Sequence, residues 1–194
     1  MRKKETTLAS PVFHSVCCNR LGSSRTAAIT KLRKQADELG FWIPFVAVVL
    51  ADQWSKAYIR SNFAVGESMQ IIGEWLQLVY RENPGAAFGM LAGARWLFIS
   101  ISTVSIALAM LLYSRLSSFG TPSRVMVPAL GLVAGGALGN LVDRVRQATV
   151  TDFIYVKHFP AVFNIADSAI VIGSIILGIM LVTYTYRSGQ SGGI

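Results

Sequence analysis

The chain has 194 residues, of which 53% are hydrophobic and 14% charged, with a mean hydropathy of +0.49. Soluble domains carry roughly 25% charged residues, so the charge needed to solvate a globular surface is missing. The net charge of +8 is uneven: the first forty residues hold eight lysines and arginines against three acids. With no nucleic-acid motif beside it, a basic segment ahead of apolar helices reads as a cytoplasmic flank rather than a nucleic-acid surface.

Residues 1–40 have no sustained apolar periodicity. They read as a basic, disordered cytoplasmic leader with a helical stretch near 29–39, and no apolar core follows the basic start as it would in a cleavable signal. Cys17 and Cys18 adjoin inside it, and two thiolates alone do not complete a zinc site. The only histidines are His14 and His158, too few for a multi-histidine metal site.

The first span covers residues 41–59. FWIPFVAVVLA is apolar, and DQWSKAYI then introduces Asp52, Gln53 and Lys56. A crossing needs about 20 residues, so these polar groups fall near the far end of the helix. Residues 60–94 form the longest connection. EWLQLVY (74–80) partly alternates and reads as a short strand, followed by the turn-rich RENPGAAFGMLAG. The second span is 95–113 and the third 125–142, where Gly131, Gly135 and Gly139 share one helix face and permit close helix approach. Residues 143–165 are a second outer connection. The fourth span, 166–186, leads into a short cytoplasmic tail, 187–194. The expected fold is an all-α polytopic membrane protein with four transmembrane helices in one domain over 41–186, and a small extramembrane β element on the outer side. Both termini lie in the cytoplasm.

On that topology the polar residues collect at the outer face: Asp52, Lys56, Asn83, Gly85, Asn140, Asp143, Arg144, Asp152, Asn164 and Asp167. Ionisable groups in membrane segments are costly and usually functional. Asp52 and Lys56 are spaced i, i+4 and can pair. Asp167 begins an apolar helix and can cap it. Asp152 sits inside the strand-like run Val150–Ile154, where capping gives no reason for an acid. Two adjacent carboxyl groups cannot both ionise and can divide general base and general acid between them. Spacing alone does not say which two of Asp52, Asp143, Asp152 and Asp167 pair. Membrane acids also suit a proton-coupled transporter, the glycine face suits a scaffold, and Lys56 with Ser55 or Ser168 suits a Ser/Lys peptidase.

The segments DQWSK (52–56), NPGAAFG (83–89), GGALGNLVDR (135–144), VTDF (150–153) and FNIADS (163–168) occur together in an order that resembles the lipoprotein signal peptidase (signal peptidase II) family of bacterial inner-membrane aspartic peptidases. The resemblance covers roughly residues 41–186. It implies that Asp152 and Asp167 are the catalytic pair. Asn140, Arg144 and Asn164 would orient the pair and bind substrate, with Gly136 in the same motif as a supporting residue. Asp52, Lys56 and Asp143 would support the site, and Asn83 and Gly85 would belong to an extramembrane cradle. The implied reaction removes the signal peptide of diacylglyceryl-modified prolipoproteins just before the lipidated cysteine. The implied partners are that substrate and membrane lipid, with no nucleic acid and no metal or organic cofactor, and a monomer suffices. The leader of about forty residues is long for the family.

Overall fold

The computed structural model describes residues 12–85, 93–118 and 124–191. Residues 86–89 of the NPGAAFG segment therefore lie outside the described residues. Two compact units divide the chain, Met1–Ala36 and Asp37–Ile194. The first is helical from Val12, in helix α1 (Val12–Asn62). The sequence suggests a helical stretch near 29–39, and α1 includes it. Residues 12–40 contain no proline and many Ala, Leu, Lys and Arg, which are good helix formers.

In the second unit α1 ends at Asn62. Strands β1 (Ser68–Ile72) and β2 (Leu76–Asn83) follow, then α2 (Arg95–Ser118), α3 (Met126–Gln147), β3 (Val150–Val156), β4 (Val162–Phe163) and α4 (Ile165–Ser191). The strands make one antiparallel sheet in the order β1-β2-β3-β4. Only part of β2 carries an alternation visible in the sequence, and the run around Asp152 is strand-like by its apolar content. β1 is exposed along its whole length and β4 has two residues, so neither shows a buried face.

Among the described residues three helices are long and apolar enough to cross a membrane: Arg95–Leu116, Met126–Gln147 and Ile165–Tyr186. The expected first span is helical, but Asp52, Lys56 and Arg60 interrupt its apolar run. Two of these charges do not face outward, since Asp52 and Lys56 are fully buried. The outward face of the same segment carries Trp42, Ile43, Val46, Leu50, Trp54 and Tyr58. Two other boundaries move. Asp143, Arg144 and Arg146 belong to the last turns of α3, not to a loop, and α4 continues through most of the expected tail to Ser191. Ala148 ends α3 in the left-handed region (φ 65°), with its N–H donating to the Arg144 carbonyl at 3.2 Å.

Helix α3 is the centre of the packing. A Cβ at Gly131 would strike the Phe41 carbonyl, and one at Gly135 the Phe45 carbonyl, so these glycines let α1 lie against α3. A Cβ at Gly136 would strike the Ala166 carbonyl, which sets the approach of α4. Phe41 fills the space between them, stacking on Tyr113 of α2 with ring centroids 4.5 Å apart. The sheet joins α1 through Ile59, which packs with Tyr80 and Phe153.

Candidate active site

Asp152 and Asp167 reach the same cavity from different elements. Asp152 is the third residue of β3, whose Thr151 and Phe153 point the other way, into the protein. Asp167 lies in the first turn of α4. Asn164 precedes that helix and makes a reciprocal cap with it. The Asp167 N–H donates to Asn164 Oδ1 at 2.8 Å, and the Asn164 N–H donates to Asp167 Oδ2 at 3.3 Å. The Asp167 carboxylate thus has the capping role its position suggests, and its other oxygen remains for the cavity. That oxygen, Oδ1, accepts from Asn140 Nδ2 at 2.7 Å.

The two acids are tied together through amides. Asn164 Nδ2 donates to Asp152 Oδ1 at 2.7 Å and to Asn140 Oδ1 at 3.2 Å. Asn83 Nδ2 donates to Asp152 Oδ2 at 2.9 Å, while its own Oδ1 accepts the Gly85 N–H at 3.0 Å. Burial pushes the Asp152 carboxyl up to about 7, with the Asp167 carboxylate adding to the shift. The amides of Asn83 and Asn164 and the Lys56 ammonium oppose it.

Behind the acids lies a second layer that is almost wholly buried. Lys56 Nζ sits 2.9 Å from Asp52 Oδ2 and 3.0 Å from Asp143 Oδ2, and donates to Asn140 Oδ1 at 3.0 Å. All three ammonium protons are thereby used. Asp52 reaches further: its Oδ1 accepts the Ala166 N–H at 3.0 Å, anchoring the start of α4 to α1. Asp143 accepts the Thr151 N–H at 3.2 Å and so fixes β3 next to Asp152. Gly139 lets Asp52 in, because a Cβ there would fall on its carboxylate. Gly136 does not line the cavity, and its contribution is the approach of α4 described above. Sequence reasoning missed Gln53, whose Nε2 lies within hydrogen-bond reach of Asp52, the Gly139 carbonyl and Asp143. It also missed Thr151, which accepts from Arg60 at 3.1 Å. The signal available for Gln53 was its place in a membrane helix between Asp52 and Lys56.

The cavity encloses about 530 Å³ and is lined by Asn83, Gly85, Asn140, Arg144, Asp152 and Asp167 on one side. Phe159, Val162, Phe163, Val171 and Ile172 form the apolar remainder. Arg144 lies over the Phe98 ring at 4.9 Å and reaches the Gly85 carbonyl at 3.4 Å. Arg95 holds the end of α3 by donating to the Arg144 and Val145 carbonyls, each at 2.8 Å. Such a site offers two acids, a cation and amide donors beside an apolar chamber. The two candidate serines do not suit nucleophilic attack assisted by Lys56. Ser55 donates to the Asp52 carbonyl at 2.9 Å and Ser168 to the Asn164 carbonyl at 2.9 Å. Among the described residues no group of three or more His, Cys, Asp or Glu side chains is placed to hold a metal ion.

Comparison with known proteins gives a consistent result. A lipoprotein signal peptidase of Syntrophomonas wolfei is 44% identical over 141 residues, covering 73% of this chain and 91% of that protein. One of Halothermothrix orenii is 40% identical over 151 residues, covering 78% and 98%. A bacterial membrane enzyme solved at 2.3 Å superposes with a TM-score of 0.70 at 32% identity, over 75% of this chain and 88% of that one. A second, solved at 1.9 Å, gives 0.64 at 34% identity, over 72% and 90%. The family model for signal peptidase (SPase) II matches residues 44–183, and the chain belongs to that family of membrane peptidases.

Proposed function

We propose that the protein is an aspartic endopeptidase that removes the signal peptide from diacylglyceryl-modified prolipoproteins, cutting just before the lipidated cysteine. The observation that carries this reading is the single cavity in which Asp152 and Asp167 face an apolar wall ending on Val171 and Ile172 of α4. Both of those residues are exposed on the outside of the helix, so acyl chains can enter sideways without leaving hydrocarbon.

In this mechanism the pair shares one proton. Asp152, pushed up to about 7, holds it at neutral pH and donates it to the scissile carbonyl. Asp167 takes the proton of the attacking water. Asn140 and Asn164 keep the two carboxyl groups in register, and Arg144, Asn83 and Gly85 hold the substrate backbone. Every one of these groups comes from one chain, so a monomer is sufficient.

The same reading makes residues 41–59 of α1 a fourth span, with both termini cytoplasmic and the site near the outer face of the inner membrane. Its support is the full burial of Asp52 and Lys56, which leaves an apolar outward face there. Exposed Trp54, Tyr58, Trp75 and Trp96 gather at the end of the bundle that bears the sheet, while Trp42, Tyr184 and Tyr186 lie towards the other. Aromatic residues prefer the two interfaces of a bilayer.

The test is cleavage of a prolipoprotein by the purified full-length protein in bilayer, with the diacylglyceryl group present or absent. Cleavage next to the cysteine in the lipidated form alone is expected. No cleavage, or equal cleavage of both forms, refutes the reading.

A further inference from the structure

A second cavity, of about 830 Å³, meets the first at Asp152 and shares with it Asn83, Ala161 and Val162. Its remaining lining is of a different kind, with Ser68, Gln77, Arg81, Glu82 and Tyr155 among it and no residue of α4. Asp152 therefore stands where an apolar chamber meets a polar one. A lipid-anchored substrate has the same division at its scissile bond. The signal helix and the acyl chains belong in hydrocarbon, and the chain beyond the cysteine belongs in water.

Arg81 is the charged group best placed to read that chain. It is directly opposite Asp152 in the β2–β3 register, and opposed residues share a sheet face about 4.5–5.5 Å apart at Cα. Its neighbour Glu82 accepts from the Tyr80 hydroxyl at 3.1 Å, and alternation along β2 turns both of those side chains to the opposite face. Arg81 is exposed, and among the described residues its side chain makes no hydrogen bond or ion pair. The cavity beside Asp152 thus holds a guanidinium that makes no ion pair among the described residues, with Glu82 and Asp152 also in the lining.

We infer that this polar cavity receives the first residues of the mature polypeptide after the lipidated cysteine, and that Arg81 selects an acidic side chain there. The inference rests on the proposed function, with the α4-lined cavity as the acyl chamber. An extended chain advances roughly 3.3 Å per residue. From a bond held at Asp152, the second or third residue after the cysteine comes level with the Arg81 guanidinium.

The experiment uses the full chain in bilayer and three lipidated prolipoproteins that differ only at those two positions: Asp-Asp, Asn-Asn and Lys-Lys. The readout is the ratio of kcat/KM between them for wild type, Arg81→Gln and Arg81→Glu. The expected wild-type preference for the acidic over the basic substrate is roughly fivefold, the scale of one exposed charge pair. It should collapse in Arg81→Gln, invert in Arg81→Glu, and shrink with added salt. Equal rates in wild type, or an acidic preference that survives in Arg81→Glu, overturn the inference while leaving the proposed function intact. Failure of wild type to cleave any of the three overturns both.

Discussion

Replacing Lys56 with methionine probes what holds the first helix to the third. The methionine fills nearly the same volume but deletes a charge that is fully buried and lies within 3.0 Å of Asp52, Asp143 and Asn140. The two carboxylates left behind are themselves 0% and 1% exposed. Arg60, 3.7 Å from Asp143, relieves only one of them. Removing one partner of a buried ion pair costs about 3–5 kcal/mol, because the remaining charge is uncompensated. Lys56→Met should therefore lose about that much stability in denaturant unfolding in mild detergent. The triple variant Asp52→Asn/Lys56→Met/Asp143→Asn should recover part of it, since no unpaired charge remains. The Asp52 anchor on the Ala166 N–H and the Lys56 bond to Asn140 both lead to Asp167, so cleavage should fall as well. A loss below about 1 kcal/mol for Lys56→Met, well under the range for a broken buried pair, would refute the reasoning.

Asn164→Ala removes the cap of α4 and the amide that joins Asp152 to Asn140. We expect a loss of about 2–4 kcal/mol in unfolding, from a missing cap plus unsatisfied buried partners, with cleavage reduced more than the stability loss alone explains. Because Asp152 is raised to about 7 in the folded protein from 3.8, its stabilising contribution is complete below about pH 4 and is lost as pH rises through 7. Wild-type stability measured from pH 5 to 8 should decline by about 2–3 kcal/mol from this group, and Asp152→Asn should flatten that decline. A slope unchanged by the substitution would contradict the environment described for Asp152. The same titration predicts cleavage that falls above about pH 7, as the proton donor is lost.

Hydropathy made the cores of α2, α3 and α4 legible, because lipid-facing helices need no polar face. It was less informative for α1, where the polar groups are satisfied by residues distant in sequence. Nothing near Asp52 announces that it bonds the N–H of Ala166, 114 residues on. The end of α3 was placed too early because DRVRQ reads as a polar loop, yet Arg95 and Ala148 close the helix beyond it. In the sheet, β3 is legible as an apolar, strand-like run, because its first four residues are all buried. β1 and β4 are not, since one is wholly exposed and the other is defined only by its pairing with Ile154 and Tyr155. The site motifs identified the polar residues, but spacing left open which two of four acids meet. The sheet register and the α4 cap bring Asp152 and Asp167 to one cavity, and Lys56 draws Asp52 and Asp143 into the layer behind.

Cleavage of a lipidated prolipoprotein by Asp152→Asn and Asp167→Asn, each shown by unfolding to be folded, addresses the pairing of these acids directly. Each single change should lower kcat by at least roughly 10²–10⁴-fold, the scale of a lost general acid or base, with little change in substrate binding. Cleavage by either folded variant within about tenfold of wild type, well short of that scale, would contradict the assignment of Asp152 and Asp167 as the reacting pair.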